Sequence, residues 1–188
     1  MTGNPRRQVN PMNRTITESY CITFEVKVNP SDLPEIDRRT ECARQVYNTC
    51  LGQCQKRWRL VRSIPEWRSA LKDLQTLNRK TDLSPEEKTR QKDLRKMLKS
   101  IEQSHGLSEY AMHAFALTVT RHFGSPLGAH ELQKAATFAW RTFEHYRFGN
   151  AKKVRFKRRC DPVTIENKSN SFGLRLKDDK VLWGSKHT

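Results

Sequence analysis

Between residues 129 and 159, AHELQKAATFAWRTFEHYRFGNAKKVRFKRR, a helical hydrophobic period runs into a glycine and then into a dense run of cations. Any fold of this chain has to accommodate that junction. Leu132, Ala136, Ala139, Phe143 and Tyr146 recur at spacings of 3 and 4, which puts them on one face of a helix of about 3.6 residues per turn. Gly149 follows the last periodic residue, where a glycine accepts the left-handed conformation that closes a helix, and Asn150 tolerates it too. From Arg147 to Arg159 there are then seven basic residues in thirteen and no acid: Arg147, Lys152, Lys153, Arg155, Lys157, Arg158 and Arg159. In KKVRFKRR, Val154 and Phe156 alternate with Arg155 and Lys157, so a strand is expected to bury the first pair and offer the second to a partner. That partner is a polyanion, or the run is a solvated edge whose charges discourage strand pairing.

Upstream, residues 1–17 hold Gly3, Pro5, Pro11 and several Asn and Arg without periodicity, and read as a disordered basic arm. Residues 19–29, SYCITFEVKVN, alternate with Tyr20, Ile22, Phe24, Val26 and Val28 on one side and predict a strand. Pro30 and Pro34 end it and turn the chain into a helix over about 35–62. The stripe of that helix is Ala43, Tyr47, Cys50, Cys54, Trp58 and Val61. Asn48 sits mid-helix, where its side chain competes with the backbone, so it is either a surface residue or one with a tertiary or ligand partner. The end of the helix interleaves Lys56, Arg57, Arg59 and Arg62 with Trp58, a composition suited to phosphates and a stacked base; Trp58 also continues the buried stripe.

Trp67, Leu71, Leu74 and Leu77 mark a second helix after Pro65. Ser84-Pro85-Glu86-Glu87 opens a third, with a serine cap, a first-turn proline and acids at the positive end of the dipole. Leu94, Leu98 and Ile101 give its inner face, and the two helices read as an antiparallel hairpin. A fourth helix over about 107–122 carries the stripe Tyr110, Ala114 and Leu117, and the fifth is the helix of the opening stretch. Beyond residue 160 the period is two: Val163 and Ile165, then Phe172, Leu174 and Leu176, then Val181 and Trp183, separated by turn residues. Strands this short need closure or a partner. The expected fold is therefore α+β. A small antiparallel β-barrel from 18–30 and 150–188 is interrupted by an inserted helical domain of about five helices at 31–149.

Composition bears on the partner. The chain has 188 residues, 36 Lys plus Arg against 20 acids, and a formal net charge of +16, a field that attracts phosphate backbones. Residues 147–188 alone hold 12 basic and 4 acidic side chains, half the excess. No apolar run approaches the ~18 to 20 residues that span a bilayer, so no membrane partner is expected and the chain reads as cytoplasmic. Cysteines 21, 42, 50, 54 and 160 show neither a CxxC pair nor a finger-like His spacing. They read as reduced thiols, with a metal held by Cys50, Cys54 and a distant His as the alternative. His113, His122, His130 and His145 show no HExxH spacing and read as surface or cap residues.

The stretches ARQVYNTCLGQC, AATFAWRTFEHY, KKVRFKRR and SFGLRLK, in this order of elements, resemble the N-terminal half of transposon-encoded TnpB proteins and miniature type V CRISPR effectors, over about residues 18–184. The resemblance implies a wedge barrel interrupted by a recognition domain, the two gripping a guide RNA and a target duplex beside a short adjacent DNA motif. Carried over by position, it implies that Arg44, Tyr47 and Asn48 act from the first recognition helix, and Arg155, Phe156 and Lys157 from the strand re-entering the barrel. Arg175, in SFGLRLK, joins the nucleic-acid-binding set. The family is one of RNA-guided DNA endonucleases, and its magnesium and zinc belong to a nuclease half that this chain is expected to lack. Acids beyond residue 147 are only Asp161, Glu166, Asp178 and Asp179, so no catalytic residue, metal ligand or cofactor is assigned here. The implied partners are guide RNA or duplex DNA, the missing nuclease half or a second copy of the chain. The implied origin is prokaryotic, phage or mobile-element. A standalone repressor binding RNA or DNA, and a protein-interaction scaffold whose charges only maintain solubility, are the competing readings.

Overall fold

The computed structural model describes residues 23, 25–123, 125–168, 173–178 and 180–184. A 3-10 turn at Pro30–Asp32 leads into α1 (Leu33–Ser63), followed by α2 (Pro65–Asn78), α3 (Pro85–Ser104), α4 (Glu109–Phe123) and α5 (Ala129–Arg147). The strands β1 (Leu174–Lys177) and β2 (Lys180–Trp183) come last. They pair antiparallel, with Leu174 opposite Trp183 and Lys177 opposite Lys180.

α1, about 46 Å long at 1.5 Å per residue, is the axis of the molecule and packs on both α5 and α4. Its buried residues are Ala43, Val46, Tyr47, Cys50, Leu51, Cys54 and Val61, the expected stripe widened by Val46 and Leu51, with Trp58 only partly buried. They meet Leu132, Ala135, Ala136, Ala139, Trp140 and Phe143 of α5, and Met112 and Ala116 of α4. Cys50 and Cys54 belong to this core as small apolar groups. Burial pushes both thiols up to about 12, so they stay protonated.

α2 and α3 form the predicted antiparallel hairpin: Asp73 late in α2 pairs with Arg90 early in α3 at 3.3 Å, whereas Trp67 at the start of α2 donates from Nε1 to Glu102 at the end of α3 at 3.2 Å. Ser84 makes a complete capping box, its hydroxyl accepting from Glu87 N and the Glu87 carboxylate accepting from Ser84 N. α5 closes as its sequence requires. Gly149 has φ +80, its N–H donates to Tyr146 O at 3.2 Å and that of Asn150 to His145 O at 2.8 Å, which is the Schellman arrangement.

The phase of α4 differs from the expected one. Tyr110 is 84% exposed, and the buried positions are Met112, Ala116 and Thr120. α4 is apolar almost all round, so its pattern does not single out a face, and Thr120 hides on the buried side because its hydroxyl donates back to Ala116 O at 2.9 Å.

The expected β-barrel does not form among the described residues. Among the described residues the sheet is the two-stranded β1–β2 hairpin alone, so the molecule is a helical assembly carrying a hairpin. The strand expected at 19–29 lies partly outside the described residues. Where it is described, residues 25–29 form no ladder, and Val26 and Val28 are exposed. Residues 151–168 likewise run without strand pairing. Their period-two signal has a different cause: Val154, Val163 and Ile165 are partly buried against the helical core, as is Trp183 of the hairpin. Alternation requires only that every second side chain meets an apolar surface, and here the helices provide that surface. The arm at 1–17, Cys21, Phe172, Asp179 and the side chain of His122 lie outside the described residues.

Candidate functional site

The turn after α5 sends residues 151–165 back across α1 as an extended strap, and α1 receives it with side chains. The Asn48 amide acts as a surrogate strand: Nδ2 donates to Lys157 O and Oδ1 accepts from Lys157 N, both at 2.9 Å. Arg44 Nη1 donates to the same carbonyl at 3.1 Å. Glu41 orients that guanidinium, which in turn holds the Glu41 carboxyl down at about 2. Tyr47 donates its hydroxyl to Thr142 Oγ1 of α5 at 3.0 Å, with Arg155 O at 3.4 Å. The three α1 residues singled out in the sequence thus meet the strap residues singled out with them, and they do so chiefly by gripping its backbone.

The strap's side chains do not alternate as a strand would. Val154 turns inward, Phe156 is 43% exposed above Gly52, and Lys157 is half-buried. The Lys157 ammonium lies 5.5 Å from the centre of the Tyr47 ring and donates to Pro162 O. Anchoring both Lys157 backbone groups on Asn48 fixes this phase. A turn at Arg158–Asp161 then brings the Asp161 carboxylate onto Arg158 N at 2.8 Å, a bond that holds its pKa below the usual range.

Between α1, α5 and the strap lies a cleft of about 470 Å³. Its apolar floor is Ala43, Ala135, Phe138 and Val163, with the hydroxyls of Tyr47, Thr142 and Thr164 among its walls. Its cationic rim is Arg141, His145, Lys153, Arg155 and Lys157, and no lining residue is acidic. Asp161 stands 3.7 Å from Arg155, whose side chain is 75% exposed, so that pairing is weak and solvent-screened. Lys153 and Arg155 were legible as candidates. Arg141 was not: it is an isolated cation on α5 in a stretch of balanced charge, and only its place one turn before His145, facing the returning strap, reveals it.

The remaining candidates are dispersed. Lys56, Arg59 and Arg62 are exposed along α1, with Arg62 5.9 Å from the Trp58 ring. Lys152, Arg158 and Arg159 are exposed on the strap. Arg57 and Arg147 serve the interior. Arg57 donates to Gly106 O and lies 5.9 Å from the centre of the Phe115 ring, and Arg147 pairs with buried Glu102 and lies 4.9 Å from the Trp58 ring. Trp58 packs edge-on to Trp67 at 5.2 Å and is partly buried against the core, so it is not an open stacking platform. Arg175 of β1 is half-buried and donates to Gly184 O at 3.4 Å.

Among the described residues no group of three or more His, Cys, Asp or Glu is placed to hold a metal ion, and no helix is long and apolar enough to cross a membrane. Comparison with family models, with curated proteins and with solved structures finds no match to this chain.

Proposed function

We propose that this chain is a nucleic-acid-binding module that holds a phosphate backbone along the cleft between α1, α5 and the strap. The observation that carries the reading is the cleft's composition: five cationic or imidazole side chains on the rim, hydroxyls and apolar groups behind them, and no acid in the lining. A surface kept cationic only for solubility mixes its signs, as α3 does in pairing Glu87 with Lys80 and Asp93 with Lys96. An acid-free concave rim instead focuses positive potential on a bound polyanion. On the resemblance quoted above, the proposed polyanion is a guide RNA with its target DNA. The chain is then proposed as the binding part of an RNA-guided nuclease, whose cutting half is a further partner.

Salt-dependent binding to structured RNA and to duplex DNA tests this. Replacing Arg141, Lys153 and Arg155 together by Ala is expected to weaken binding and to flatten the log–log salt slope by roughly 2 to 3, at about 0.7 to 0.9 per lost phosphate contact. Replacing Lys92, Arg95 and Lys99 on α3 removes the same charge elsewhere and is expected to change the slope less. Equal effects of the two triple variants would reduce the cleft to a share of the net charge and end the proposal.

A further inference from the structure

Arg141 lines a second concavity besides the cleft, a notch between α4 and α5 with Glu109, Tyr110, His113, Lys134, Thr137 and Lys168. Tyr110, 84% exposed, is the most exposed large hydrophobic side chain among the described residues, and its ring has one aromatic neighbour. It packs edge-on to His113, with centroids 5.9 Å apart and planes at 76°. His113 is itself fixed by a relay. The Thr137 hydroxyl donates to Glu109 Oε1 at 2.6 Å, so its oxygen accepts at 2.8 Å from His113 Nε2, which carries the proton. Burial lowers the His113 pKa and keeps the ring neutral. The result is an aromatic face presented to solvent on a rigid support, beside a carboxylate, with Arg141 joining it to the cationic cleft.

We infer that Tyr110 is a base-stacking platform, and that the partner of the neighbouring cleft is a single-stranded segment whose phosphates follow the cleft and whose base enters this notch. The inference rests on the proposed nucleic-acid-binding reading and specifies its ligand. An exposed aromatic face beside the cleft suits a base, whose ring covers it and whose N–H groups donate to Glu109, while Lys134 and Lys168 of the same notch are engaged by Glu166 and Gln133. A base paired and stacked inside a duplex offers no such face.

The test is fluorescence anisotropy of the full chain with labelled mixed-sequence single-stranded RNA and DNA of twelve nucleotides, and with a blunt duplex of the same length, for wild type, Tyr110→Ala and Tyr110→Trp. Tyr110→Ala is expected to weaken single-strand binding about tenfold, in the RNA arm, the DNA arm or both. The salt slope and duplex binding should stay unchanged, and Tyr110→Trp should restore the affinity. Wild-type affinity of Tyr110→Ala in both single-strand arms, or equal loss on single strand and duplex, would overturn the platform. The Arg141, Lys153 and Arg155 triple variant separates the two levels: if it still flattens the slope, binding in the cleft survives the loss of this inference, and if it too has no effect, the cleft reading falls with it.

Discussion

Asn48 occupies a position where an asparagine is a poor choice for a helix, and its amide accounts for the choice by satisfying both backbone groups of Lys157. Asn48→Ala leaves the Lys157 N–H without this partner and its carbonyl with Arg44 alone, while improving the helix propensity of α1 by a few tenths of a kcal/mol. The expected net loss is about 1–2 kcal/mol, read as a lower urea midpoint with an unchanged m-value. Asn48→Asp keeps the acceptor for Lys157 N and gives up the donor, so it is expected to fall between. An alanine variant as stable as wild type would show that the strap is held by its apolar contacts instead. The residue's odd placement was visible in the sequence. Its partner, more than a hundred positions away, was not, because a side chain–backbone bond imposes no pattern on the partner's own residues.

Among the elements, the two ends closed by left-handed glycines isolate two different demands. Gly149 has φ +80 and a Cβ there would meet nothing within 4 Å, whereas at Gly106, with φ +69, a Cβ would lie 2.6 Å from Arg57 Nη1. Gly149→Ala therefore carries only the backbone penalty, about 1 kcal/mol. Gly106→Ala carries that penalty and also displaces the guanidinium that links α1 to the α3–α4 turn. Thermal melts should rank the variants in that order, Gly106→Ala the less stable, and a reversed order would mean that Arg57 swings aside at no cost. Helix starts and stops of this kind are local chemistry, which is why the α3 cap and the α5 stop were legible residue by residue. The orientation of α4 was not, since a helix apolar on most sides takes its phase from whatever packs beside it.

At the scale of the molecule, several carboxylates are held in the charged form by cations or backbone donors. Glu35 and Glu41 are each lowered from 4.5 to about 2, and Glu87 and Asp161 are lowered as well. Folded, each of these groups binds its proton less readily than unfolded, so the unfolded chain takes up more protons as the pH falls. Stability is expected to be fully developed above about pH 4.5 and to decline toward pH 2. Protonation also adds to an already large net charge of +16, and self-repulsion acts in the same direction. Urea midpoints measured across this window check the sign. Glu41→Gln should remove part of the slope, because Arg44 then lacks a partner whose charge depends on pH, and an unchanged slope would place the acid sensitivity elsewhere.

What the sequence determined by itself is what a short window can encode: five helices with their buried stripes on α1 and α5, the Ser84 cap, the Gly149 stop, buried Cys50 and Cys54, and a cationic segment after α5. Period two at residues 163–165 was equally real, although it failed at Phe156, which is exposed; where it holds, it specifies which side chains face an apolar surface and leaves open what that surface is. Only the tertiary structure decided that α1 and α5 supply it, that Asn48 takes the place of a neighbouring strand, and that no barrel closes among the described residues. It decided in the same way which cations remain free for a partner. Arg57 and Arg147 turn inward to a carbonyl and a buried carboxylate, while Arg141, unremarkable in its own helix, faces the returning strap. Charge is written in the sequence, but whether it is neutralised depends on neighbours that folding brings from far along the chain.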